Sequence, residues 1–149
     1  MRCDVVTLSF RNLTVDPSDP VRDWPTEAVQ AALERGDLGH WQRLSAEIRQ
    51  EPWGRTARQV EEVLTHSRPY GVAELMERVI ARARDRAVAA ERETVAAEVR
   101  RAIERANMTR AQLAALLGTS ASRLSTYASG RVTPSATFMV RLRRTLDSG

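Results

Sequence analysis

The side chains best suited to recognition chemistry crowd one end of the sequence. Residues 105–146 hold seven Arg and no carboxylate, and short polar side chains stand among them: Thr109, Ser120, Ser122, Ser125, Thr126 and Thr133. Guanidinium groups address phosphates, while hydroxyls and methyls of short side chains reach the edges of bases. The whole-chain charge of +4 conceals this segregation. Residues 1–86 carry 13 Arg against 14 Asp and Glu, a net −1, whereas residues 87–149 carry 10 Arg against 5 acids, a net +5. Every basic residue is Arg, so Arg identity means little and Arg position means more. A block of one sign beside a near-neutral half points to a polyanionic partner.

Other chemistries find little support. There is no phosphate-cradling Gly loop, nucleophile elbow or zinc motif, and the acids lie on helical faces among Arg, where pairing at spacings of three and four accounts for them. The expectation is a protein that is not an enzyme. The single Cys3 excludes an internal disulfide, and His40 and His66, without clustered acids or thiols, read as surface or capping residues. No metal and no cofactor is expected. No apolar run reaches the length of a membrane span and no secretory signal opens the chain, so a cytoplasmic protein at the nucleoid, without membrane contact, is expected.

The elements that must position the basic segment follow from Pro and Gly punctuation. Five of six Pro lie in the first half, and none of either residue falls between Gly71 and Gly118. The spacing therefore predicts an all-α protein. Residues 3–15, with Val6, Leu8 and Phe10 alternating against Thr7, Ser9 and Arg11, read as one short strand. Residues 1–22 form that strand and a loop. Residues 23–71 form a bundle of three short amphipathic helices that dimerises or senses a signal, with Leu38, Trp41, Leu44 and Ile48 as one stripe. Trp24, Trp41 and Trp53 are its expected large core residues. Residues 72–106 have no helix breaker; residues 72–92 read as a solvent-exposed connecting helix, and residues 93–149 as a separate domain.

Within that last domain the local signals are dense. Asn107 suits a left-handed cap, and Thr109 with Gln112 forms a capping box opening a short helix whose apolar face is Leu113, Leu116 and Leu117. Gly118 stops it, Ser120 caps the next helix over residues 121–128, and Leu124 and Tyr127 point inward. Two helices joined by a Gly-containing turn make a helix-turn-helix.

Residues 93–146, about a third of the chain, resemble the phage repressor and Cro family, the xenobiotic-response-element type regulators. Leu113-Ala114 with Leu117-Gly118, Ser120 with Ser122, Tyr127 with Gly130-Arg131, and Pro134-Ser135 all stand at the family's spacing. The resemblance implies a lambda-repressor-like helix-turn-helix domain that reads DNA as a dimer on paired half-sites. It places Ala121 and Thr126 at base-reading positions and Arg110 and Arg131 at phosphate-contacting ones. Ser120 and Thr133 are expected to join them at the phosphates. Ser122 and Ser125 present hydroxyls on the same helix, and Arg123 is the one side chain there able to grip a guanine bidentately. Arg141, Arg143 and Arg144 either extend the basic surface or line an ordinary solvated face. The sequence stops where a fifth family helix begins, so dimerisation is expected through the N-terminal half or the connector.

The resulting expectation is a sequence-preferring transcriptional regulator, a repressor acting as a homodimer on double-stranded DNA with helix 121–128 in the major groove. The alternative is an antitoxin that binds its own promoter and a toxin protein. An antitoxin segment that folds on its toxin would be poor in apolar residues, which residues 23–83 are not.

Overall fold

A computed structural model describes residues 8–11 and 13–148 of the chain. Among them the regular structure is all helical: a 3-10 turn at Val21–Asp23, then α1 (Thr26–Arg35), α2 (Leu38–Gln50), α3 (Arg55–Leu64), α4 (Val72–Ala106), α5 (Arg110–Leu117), α6 (Ala121–Ala128) and α7 (Ala136–Asp147). No described helix is long and apolar enough to cross a membrane. Contacts divide the chain into two compact units, one running through Ala87 and one from Val88 onward.

In the first unit, α1, α2, α3 and the opening turns of α4 enclose a core around Trp24, which is fully buried with Val29, Leu44, Ile48, Val60, Val63 and Met76. The Trp24 indole N–H donates to the Asp19 carbonyl at 3.1 Å, and its own carbonyl accepts from Gln59 Nε2 at 2.9 Å, so the polar edge of a large apolar side chain is satisfied. The Arg43 guanidinium stacks 5.2 Å from the ring centroid and ties Pro17 and Asp19 through their carbonyls. His40 closes a capping box with Asp37 at the start of α2. That contact holds the Asp37 carboxyl below its ordinary value, first through the His40 backbone N–H.

Four sequence expectations for this unit need correction. The described part of the expected strand, residues 8–11 and 13–15, is irregular; residues 3–7 lie outside the described residues. Among the described residues no second strand offers a ladder, and the alternation instead seats Leu8 in the core and sets Phe10 edge-on to Trp24 at 5.2 Å. Trp53 is 48% exposed, because it lies in the turn before α3 rather than on a helix face. Leu38, the first residue of α2, is 60% exposed, since a helix's terminal residue lacks a neighbouring turn to cover it. The opening of α4 is core: Val72, Ala73, Met76, Ile80 and Ala83 are all buried in the first unit.

In the second unit, Val99 and Ala102 of α4 pack with Leu113, Leu117, Leu124, Tyr127, Phe138, Met139 and Leu142. Each fully buried Leu stabilises the unit by roughly 1.5–3 kcal/mol relative to exposure. Leu116, expected on that apolar face, is 62% exposed. The face of α5 that reaches the core is narrow, and Leu113, Ala114 and Leu117 fill it.

Candidate nucleic-acid interface

The candidate interface is built from four helix ends. Asn107 takes a left-handed conformation (φ 53°) that ends α4. Thr109 Oγ1 then accepts from the Gln112 N–H at 3.1 Å while Gln112 Oε1 accepts from the Thr109 N–H at 2.9 Å, completing the box that opens α5. Such a cap contributes about 1 kcal/mol. Gly118 (φ 71°) closes α5: its N–H donates to Ala115 and that of Thr119 to Ala114, the paired bonds of a Schellman turn. A side chain at that φ would be strained, so the tight entry into α6 depends on glycine. Ser120 Oγ accepts from the Arg123 N–H at 3.1 Å and starts α6.

Tertiary packing sets the angle of α6. Leu124 and Tyr127 are buried against α5 and α7, and the Tyr127 ring lies 4.9 Å from that of Phe138. The opposite face carries the residues expected to read bases. Ser122 is exposed, and Ala121 is half-buried at the first position of the helix. The Thr126 hydroxyl donates to the Arg123 carbonyl at 2.7 Å, which leaves its methyl as the group a ligand can meet. Arg123 lies along α6 and donates Nε to Tyr127 Oη at 3.1 Å. The phosphate candidate Arg110 and the base candidate Ser125 are brought together: Arg110 Nη1 donates to Ser125 Oγ at 2.8 Å. Arg131 and Thr133 are exposed in the loop after α6. Ser120 is exposed as well, and its hydroxyl already serves the helix start.

The remaining guanidiniums of this unit divide between structure and solvent. Arg141 Nη1 donates to the Leu117 carbonyl at 3.3 Å and Arg100 Nη1 to the Ala128 carbonyl at 2.8 Å, so each satisfies the C-terminal end of one helix of the pair. Arg143 grips Glu98 through Nε at 2.7 Å and Nη2 at 3.3 Å, and this hydrogen bonding holds the Glu98 carboxyl below its ordinary value. Arg100 is a positioning residue that sequence reasoning missed: 28 residues separate it from the carbonyl it meets, and no spacing rule connects them.

Residues 94–148 match the family model of a helix-turn-helix domain. No curated protein and no solved structure matches the chain. The match agrees with the α4–α7 geometry and supports a helix-turn-helix, DNA-binding regulator.

Proposed function

We propose that the protein is a sequence-preferring transcriptional regulator of the phage repressor and Cro type, a repressor that works as a homodimer on double-stranded DNA. The observation that carries this reading is the capped pair α5 and α6, which leaves Ala121, Ser122 and the Thr126 methyl on the outer face of a short helix while its inner face is locked in the core. In this reading α6 enters the major groove. Ser122 hydrogen-bonds a base edge, Ala121 and Thr126 meet thymine methyls, and the Nη groups of Arg123 and the Ser125 hydroxyl supplement them. Arg110, Ser120, Arg131 and Thr133 hold the flanking phosphates, with Arg110 pre-oriented by Ser125. A protein with this job is cytoplasmic and nucleoid-bound, and its two-fold symmetry is mirrored in a palindromic site.

Selection of bound duplexes from a random pool, followed by gel shift, tests the reading. Replacing Arg110 and Arg131 by Ala is expected to weaken binding to all sequences and reduce the salt slope by about 2, near 0.9 per phosphate contact. Changes at Ser122 or Thr126 alter preference at individual base pairs, each by about 1–3 kcal/mol. Unchanged affinity in the double Arg variant would overturn the placement, and a monomer at micromolar concentration would overturn the dimer. The antitoxin alternative makes the same DNA contacts; co-purification with the product of an adjacent small toxin gene would select it.

A further inference from the structure

The near-neutral first unit contains its own concentrated positive charge. Arg78, Arg82 and Arg86 lie at four-residue intervals along α4, about 6 Å apart in rise, and together with Arg49 of α2 they line a cleft of about 240 Å³. No carboxylate lines the cleft. Of the acids on that stretch of α4, Glu77 is bound to Arg68 at 2.6 Å, and among the described residues neither Glu74 nor Asp85 forms an ion pair with the four. Among the described residues none of these guanidiniums takes part in a salt bridge or hydrogen bond. Arg84, one turn away on the other side of the helix, is by contrast fully engaged with Glu61 and the Pro52 carbonyl.

Like charges at four-residue spacing repel and weaken a helix, so the stripe works against the stability of the unit that carries it. An anionic ligand removes that penalty. Leu75 and Val79, between the guanidiniums, give the arginine stems an apolar bed that holds the row in place while the heads remain in solvent. A DNA strand offers a regular row of phosphates at about 3.4 Å of axis each, so guanidiniums about 6 Å apart meet roughly every second one. The same α4 helix continues into the helix-turn-helix unit.

We propose that Arg49, Arg78, Arg82 and Arg86 form a second contact with the phosphate backbone, through which the first unit holds duplex outside the segment gripped by α5 and α6. The proposal rests on the DNA-binding reading above. It extends DNA contact to a half of the chain whose net charge argues against it.

The test uses the full chain and fluorescent random-sequence duplexes of about one and about four helical turns, titrated over a range of salt. The Arg78→Gln/Arg82→Gln/Arg86→Gln variant is expected to lower the salt slope on the long duplex by 2 to 3, at about 0.9 per lost contact, and to weaken binding at least tenfold at low salt. On the short duplex it should match the wild type, and its melting temperature should hold or rise. Arg22→Gln/Arg35→Gln/Arg58→Gln removes the same charge elsewhere on the unit and is expected to change the slope by less than 1. An unchanged slope in the stripe variant, or an equal loss in the control, overturns the proposal. If the Arg110→Ala/Arg131→Ala variant still loses affinity, that failure belongs to the stripe alone. A wild-type chain that binds neither duplex overturns the DNA reading and the stripe with it. Unchanged DNA binding combined with loss of poly-glutamate binding would assign the stripe to an acidic protein instead.

Discussion

Arginines clustered in the two units do different work. In the helix-turn-helix unit, where the sequence is most basic, Arg100 and Arg141 satisfy the carbonyl ends of α6 and α5, and Arg143 is clamped by Glu98. In the first unit, where acids outnumber Arg, the guanidiniums of Arg78, Arg82 and Arg86 stand together without partners among the described residues. Net charge over a segment therefore measures surface potential poorly. What counts is whether the fold supplies each guanidinium with a carbonyl or carboxylate, and partners twenty or more residues away decide that.

The contrast can be broken at several points. The largest expected effect is at Arg100: Arg100→Met removes a charge-assisted bond to the Ala128 carbonyl and the pair with Glu93, and should destabilise the second unit by about 1–2 kcal/mol in urea unfolding. An unchanged midpoint would place Arg100 among the merely solvated arginines. A smaller effect concerns acid. Glu98 has its carboxyl depressed by Arg143, so its stabilising contribution is complete above the ordinary value of 4.5 and fades as pH falls through the lower folded value. The melting temperature of the wild type should accordingly fall more steeply below pH 4.5 than that of Arg143→Met; parallel acid profiles would show that the clamp contributes nothing. The smallest effect has the opposite sign. Arg82→Gln deletes two like-charge pairs at four-residue spacing and should stabilise the first unit by about 0.5 kcal/mol at low salt, an increment that disappears as salt screens the repulsion. A loss of stability there would mean that Arg82 is held by structure after all.

Much of the fold is legible in the sequence because helix boundaries are local chemistry. Pro25, Asp37, Thr109, Gly118, Ser120 and Ser135 each stand at the end of an observed helix, where a side chain or a backbone conformation within four residues completes the terminus. The same holds for the inward positions Leu124 and Tyr127. Periodicity was less informative at element edges. Leu38 and Leu116 fit an apolar stripe yet are exposed, and Leu8 and Phe10 alternate like a strand yet cover a helical core, because burial depends on which neighbours arrive. Of the candidate site, the exposure of Ser122, Arg131 and Thr133 could be read from the motif, whereas the Arg110–Ser125 bond and the turn of Arg123 onto Tyr127 depend on how α5 and α6 meet.

By itself the sequence determined the helices of the second unit, their caps, and the helix-turn-helix that the family match supports over residues 94–148. Those features rest on interactions that close within one turn of chain. Only the tertiary structure decided which arginines are committed to helix ends and which remain available to a polyanion. A guanidinium's partner is chosen by proximity in space, and residues 28 or 45 positions apart become neighbours only after the core has formed.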